Sequence, residues 1–361
     1  MPAMANQPRR VETAAPPGEL CILRLSAIGD TCHVVPLVRT LQHALPATRI
    51  TWVIGRVEAR LMGLLPGVEF ITIDKRDLAG SWRQLRRQLH GRRFDALLHM
   101  QLALRASAFA TAISARRRIG FDRARARELQ WLFTNEQVPA HANQHVLDSF
   151  FGFAEALGIH ERRLEWNLPL RTEDVQWARG HIPDGQPALV ISPCSSHVLR
   201  NWSVEGYAAA AAHAVRRHGL AVLLVGGRSE LERRTSEAIA AAAGVPVTNL
   251  AGQDTLPQLL ALLARARVLL TPDSGPAHMA TMVGTPVLGL YAATRVARSG
   301  PYLSRHWCID RYGQAALRFR GKPASELPWQ EKIEEPGVMA LIEPNAVTAR
   351  LDEMLAAPLL R

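Results

Sequence analysis

Thr271-Pro272-Asp273-Ser274-Gly275-Pro276-Ala277-His278 places a carboxylate and an imidazole on either side of a Gly/Pro turn. The apolar run Val268-Leu269-Leu270 precedes it, and an Ala/Met-rich stretch follows. That order reads as strand, tight turn and helix start. Backbone N–H groups from Gly275 onward, with Ser274 beside them, then point beyond the strand end. Together with the helix dipole they favour an anion such as a diphosphate. A second strand-loop-helix unit, Leu23 to Asp30, carries another carboxylate after Gly29. Asp30 reads either as a helix N-cap or as a general base taking a proton from a hydroxyl in a cleft. His33 lies on the same helical face, as a neighbour in the cleft or as a structural group.

Further polar groups follow other strands. Ser195 and Ser196 offer hydroxyls and Arg200 a permanent forked cation, a set suited to a leaving diphosphate. The same loop also reads as an ordinary polar connection with Ser203 as N-cap and Trp202 buried. Gly226-Gly227 precedes Glu230, which serves either ribose hydroxyls or the first turn of a helix. Several chemistries lack their signatures. The chain has no Gly-x-Gly-x-x-Gly fingerprint, no Gly-Lys-Ser/Thr phosphate loop and no Gly-x-Ser-x-Gly elbow. It has no Asp-x-Asp pair to hold a divalent metal on a sugar diphosphate, so Arg and backbone N–H groups are expected to neutralise that charge without metal or cofactor.

The elements that must position these loops alternate. Strand-like runs at 20–25, 50–54, 68–73 and 94–100 are separated by helical runs at 31–44, 58–65 and 82–89, and helices at 103–114 and 145–157 follow. After a polar stretch at 158–186 the alternation restarts, with strands at 188–192, 221–225, 268–271 and 287–291. Helices are expected there at 204–217, 230–243, 256–264 and 276–283, and a closing helix at 345–356. Such alternation implies two parallel sheets with crossover helices, whose ligands sit beyond the C-terminal strand ends. The division read from it is a disordered tail (1–18), a first Rossmann-like domain (19–165), a linker (166–187), a second (188–340) and a terminal helix (341–361) packing back on the first.

The formal net charge of +11 is concentrated. Between Lys75 and Arg127 there are 14 Lys/Arg against three acids. This is either a solvated surface or a binding face for an anionic partner, with Arg83, Arg86 and Arg87 on a basic amphipathic helix. Zinc-finger spacing, aromatic RNA-binding motifs and a continuous basic helix are missing, so nucleic acid is not the expected partner. The four cysteines are scattered without a Cys-x-x-Cys pair. No apolar run approaches the ~20 residues of a membrane span, and the N-terminus lacks the apolar core of a signal peptide, so a cytoplasmic protein is expected.

Taken in order, five segments resemble glycosyltransferase family nine, the heptosyltransferases of the lipopolysaccharide inner core. They are Arg24 to Asp30 with His33 and Pro36; Ser195-Ser196 with Arg200-Asn201-Trp202; Gly226-Gly227 through Glu230; Asn249 to Gly252; and Asp273 to His278. The position often filled by Lys in that family is Arg200 here. The resemblance implies a GT-B architecture, two Rossmann-like doubly wound domains facing a central cleft. It implies a nucleotide-sugar donor, usually ADP-L-glycero-D-manno-heptose, on the second domain, and a Kdo-bearing or heptosylated glycolipid acceptor on the first.

On that resemblance Asp30 is the base of an inverting transfer, and Ser195, Ser196, Arg200 and Gly275 hold the diphosphate. Glu230 holds the ribose, Asp273 a sugar hydroxyl, and His278 the sugar or phosphate. The Arg-rich surface, with Gly29 and His33 nearby, faces an anionic glycolipid at the cytoplasmic face of the inner membrane. Two other readings compete: a nucleotide-sugar isomerase on the same architecture, and a non-catalytic nucleotide-sugar-binding protein.

Overall fold

A computed structural model describes residues 17–357; the expected disordered tail lies, apart from Pro17 and Gly18, outside the described residues. The first half runs β1 (Glu19–Leu23), α1 (Ile28–Ala44), β2 (Arg49–Gly55), α2 (Arg56–Met62), β3 (Val68–Ile73), α3 (Leu78–Gln88), β4 (Phe94–His99), α4 (Leu104–Ala110), β5 (Ala115–Gly120), β6 (Glu136–Gln137) and α5 (Val146–Ala156). Then come α6 (Thr172–His181), β7 (Ala188–Ile191), α7 (Val204–His218), β8 (Ala221–Leu224), α8 (Glu230–Ala242), β9 (Thr248–Asn249), α9 (Leu256–Arg265), β10 (Val268–Pro272), α10 (Gly275–Met282) and β11 (Val287–Tyr291). The chain closes with α11 (Val296–Ser299), β12 (Ile309–Asp310), α12 (Tyr312–Arg320) and α13 (Pro344–Ala356).

Each half forms a six-stranded sheet, ordered β3-β2-β1-β4-β5-β6 and β12-β11-β10-β7-β8-β9. All pairings are parallel. Numbered within its own half, the second sheet repeats the order of the first. In both, the order reverses next to the first strand, between β1 and β4 and between β7 and β10. Connections on either side of that point leave in opposite directions and open a crevice beyond the strand ends. The central strands are buried on both faces, so β7, β10 and β11 read as continuous apolar runs.

The halves meet chiefly where α1 packs on α10, with a smaller contact of α2 on α9. The polar stretch expected to be a linker holds α6, which packs on α9 and so joins the second half. Just before it, Trp166 donates its indole N–H to the Cys32 carbonyl of α1 at 3.0 Å, so the crossing lies after Trp166. The expectation that the terminal helix returns to the first half is corrected. Val347, Leu351 and Met354 of α13 are buried in the second core, and α13 packs on α7. Its apolar face matches the Ala-rich side of α7, which lets the helices approach closely. The return contact comes from a loop instead: Trp329 donates its indole N–H to the Gln144 carbonyl at 2.8 Å.

Candidate active site

The loop after β1 is tied to the loop after β4 across the first switch point. Leu25 N–H donates to Oε1 of Gln101 at 2.7 Å, and the Gln101 amide donates to Ser26 Oγ at 3.2 Å. Arg24 donates to the Met100 carbonyl and to Oδ2 of Asp30. Asp30 also receives the Ala27 N–H at 3.3 Å, so it closes the first turn of α1 while a third of its side chain stays exposed. The N-cap reading is corrected: Ala27 is the N-cap and Asp30 the third residue of α1, whose Oδ2 reaches back to the Ala27 N–H, while the carboxylate remains accessible as the cleft reading requires.

At the second switch point, Ser274 precedes α10, but its Oγ sits 2.7 Å from Thr271 Oγ and does not cap the helix. The neighbouring helices α7, α8 and α9 are each capped by a Ser or Thr side chain. The first N–H groups of α10 thus lack a side-chain acceptor and keep the anion preference of a helix N-terminus. Arg200 spans this loop and the one after β7. It donates to Glu334 Oε1 from Nε at 2.7 Å and Nη2 at 2.6 Å, and its Nη1 lies 3.6 Å from Asp273 Oδ2. Ser195 folds its hydroxyl onto the His197 carbonyl at 3.0 Å, whereas Ser196 is exposed.

Two cations missed in the sequence complete this wall. Burial lowers the pKa of Arg298, against the pull of the Asp30 and Asp273 carboxylates. Burial, and then the like charge of Arg200, lowers that of Lys332. Arg298 joins Asp30, Arg24, Arg125 and Arg127 around a cleft of about 690 Å³, which Trp329 and Gln330 also line. Arg298 follows the last central strand, β11, so the strand-end rule carried a signal for it. Glu334 and Lys332 lie in an irregular segment where no periodicity marks them.

Other expected site residues are placed elsewhere. His278 is buried in the domain contact, where the carboxylates of Asp273 and Asp30 both act on its ring. Its ring is 4.4 Å from that of His33, which is 5.3 Å from that of His145. A Cβ on Gly29 would lie 2.4 Å from His278 Cδ2, so Gly29 is the flat surface on which this imidazole rests. Burial above all lowers the pKa of all three imidazoles, His145 to about 3, and keeps them neutral. Glu230 is largely exposed and pairs with Arg234; Glu232 is the carboxylate fastened to the glycine turn, at 2.8 Å from Gly227 N.

Arg83, Arg86 and Arg87 do not line the cleft. They lie on α3, whose last turn leads into the N-terminal end of β4, the edge of the sheet away from the strand ends. The basic run is in fact divided by its surroundings. Arg92 pairs with Glu19 and Glu69, Arg117 pairs with Glu136, and Arg118 donates to the carbonyls of Phe133, Ile113 and Ala110. Arg125 and Arg127 face the cleft. Across its mouth, His145 Nε2 lies 2.9 Å from the Gly300 carbonyl oxygen, and Tyr302 donates its hydroxyl to Asp148 at 3.0 Å.

Comparisons with known proteins agree with this geometry. The family model of glycosyltransferase family 9 (heptosyltransferase) matches residues 82–328. The lipopolysaccharide core heptosyltransferase OpsX of Haemophilus influenzae is 38% identical over 94% of this chain and 97% of its own length. Among solved structures, a family 9 glycosyl transferase from Veillonella parvula superposes with a TM-score of 0.75 at 18% identity, covering 94% of this chain and 97% of its own. The E. coli heptosyltransferase WaaC with ADP superposes at 0.70 and 19% identity, covering 93% and 99%. At these identities the two structures speak for the fold.

Proposed function

This chain belongs to glycosyltransferase family 9, the heptosyltransferases, and we propose that it moves a heptose from ADP-L-glycero-D-manno-heptose to a lipopolysaccharide inner-core acceptor. The observation that carries the mechanism is the juxtaposition, around one cleft, of the Asp30 carboxylate with Arg298, with Arg200 and Lys332 near enough to act on that guanidinium or feel its charge. In this reading the acceptor hydroxyl oxygen attacks the anomeric carbon while Asp30 takes its proton. The bond from that carbon to the diphosphate oxygen breaks, and ADP leaves with the electron pair. Arg200, Arg298, Lys332 and the uncapped amides of α10 stabilise the charge that develops on the diphosphate. Arg24, anchored on the Met100 carbonyl, orients Asp30.

The donor reading draws support from the WaaC structure, which carries ADP. The acceptor reading draws support from Arg127 on the first-half wall, beside Arg125, whose charge is already met by Asp122. Described helices include none long and apolar enough to cross a membrane, so reaching a lipid-borne acceptor at the cytoplasmic face of the inner membrane calls for peripheral contact. A transfer assay with ADP-heptose and either Kdo-lipid A or a heptosylated core tests the whole reading. Asp30→Asn keeps donor binding and lowers turnover by about 10²–10⁴-fold, the span of general-base catalysis. Turnover at the unsubstituted rate would sink the assignment of Asp30, and donor conversion without acceptor would favour an isomerase.

A further inference from the structure

One cluster of potential ligands plays no part in the transfer. His213 and His218, on the last two turns of α7, face Asp352 of α13. Nε2 of each imidazole lies 2.6 Å from the same carboxylate oxygen, Oδ1. The potential ligand atoms all lie within 4.8 Å of one another, and among the described residues this is the one group of three His, Cys, Asp or Glu so arranged. His218 is the last helical residue, and Gly219 takes φ +63° to end α7. That termination lets a pair spaced five apart converge, with ring centroids 5.5 Å apart. Arg217 Nε lies 3.3 Å from Oδ2 of Asp352, so the second oxygen is occupied and Oδ1 is turned between the imidazoles.

We propose that His213, His218 and Asp352 bind a divalent transition-metal ion that staples α13 to α7. Two imidazole nitrogens and one carboxylate oxygen are a ligand set suited to Zn²⁺, Ni²⁺ or Cu²⁺ rather than Mg²⁺ or Ca²⁺, which prefer oxygen. The three side chains are between 22% and 34% exposed, which leaves a coordination position open to water. The ion takes the place of the hydrogens that join the imidazoles to Oδ1, and each neutral ring then carries its one N–H on Nδ1. Arg217 keeps its hold on Oδ2 and fixes the carboxylate from outside, as an outer-shell partner does. The site lies at the far end of α7 from the diphosphate loop, so its role is structural. The strand of consequence is short: Ile342, two residues before α13, accepts the indole N–H of Trp202 beside Arg200.

The test uses the full chain, free of any histidine tag and stripped with chelator, titrated with ZnCl₂ alone. One equivalent binds in the micromolar range or tighter. At about a hundred times Kd, mass action raises Tm by roughly 3–4 °C. His213→Gln and Asp352→Asn each weaken binding by at least about tenfold to a hundredfold. Co²⁺ bound to the unsubstituted chain gives a visible d–d absorption, a readout that needs no variant to fold. No saturable binding below millimolar Zn²⁺ overturns the proposal, as does binding that both variants leave unchanged, since other histidines are then responsible.

Discussion

Gly29→Ala is a one-methyl change at the point where the halves touch. The added Cβ would lie 2.4 Å from His278 Cδ2, with Nε2 at 3.2 Å and Cγ at 3.3 Å. Ordinary carbon–carbon contact needs about 3.5 Å, so the surfaces must separate by roughly 1 Å. The imidazole has little room to give way, because the ring of His33 stands 4.4 Å from it. Overpacking of this kind costs about 1–3 kcal/mol, which a chain of this size tolerates with a Tm loss of a few degrees. The larger effect is geometric. Asp30 is the next residue, and a displacement of about 1 Å between reacting groups can reduce rate by about 10²-fold. Steady-state kinetics on Gly29→Ala should show that loss in kcat/KM, while circular dichroism and Tm report an intact fold. His278→Ala removes the clashing ring, so the double variant should be about tenfold or more faster than the two single effects multiplied together. Additive losses would refute the reasoning and return His278 to the role of a substrate ligand.

Arg200→Met removes a cation held by Glu334 and Asp273 and should cut kcat/KM for the donor by about 10²–10³-fold; a loss confined to the acceptor's KM would contradict its assignment. Burial, offset in part by the bond to Gly300, holds His145 at about 3 against 6.5 when unfolded. The folded chain therefore binds fewer protons than the unfolded chain between those values. This contribution is complete above pH 6.5 and is lost as pH falls toward 3, with about 2 kcal/mol gone by pH 5. Urea midpoints should fall between pH 7.5 and 5 and fall less in His145→Gln; a flat profile would exclude buried imidazoles as the cause.

Much of this architecture was written in periodicity. The apolar runs of β1, β7 and β10 and the alternation around them gave the two parallel sheets, and the loops carrying Asp30, Arg200 and Asp273 fall at switch points as the strand-end rule requires. What stayed hidden depended on partners distant in sequence. β5 contains Arg116-Arg117-Arg118, a charge run that masks a strand, because Arg117 and Arg118 find Glu136 and backbone carbonyls only in the folded chain. The same run looked like one basic surface, yet its members serve a sheet edge, a core rim and a cleft. His278 reads as a ligand from the turn alone; its burial under Gly29 comes from the other half, some 250 residues away in sequence. Arg298, Lys332 and Glu334 occupy segments with no period to read.

The bonds across the cleft mouth have an uneven distribution. The α1–α10 contact is broad and closely packed around the His33 and His278 rings, whereas Gln144, His145 and Asp148 reach Trp329, Gly300 and Tyr302 through single hydrogen bonds. A rigid body joined on one side by packing and on the other by a few polar links behaves as a hinge with a clasp. A motion that widens the cleft by turning about the packed side must part the clasp link by link. The clasp strand, from Gly300 to Trp329, follows directly on Arg298 and ends just before Lys332. Unfastening leaves Arg298 and Lys332 with Arg200 and α10 on the second half and carries Asp30, Arg125 and Arg127 away with the first, so on the proposed reading the acceptor side opens while the donor side stays whole.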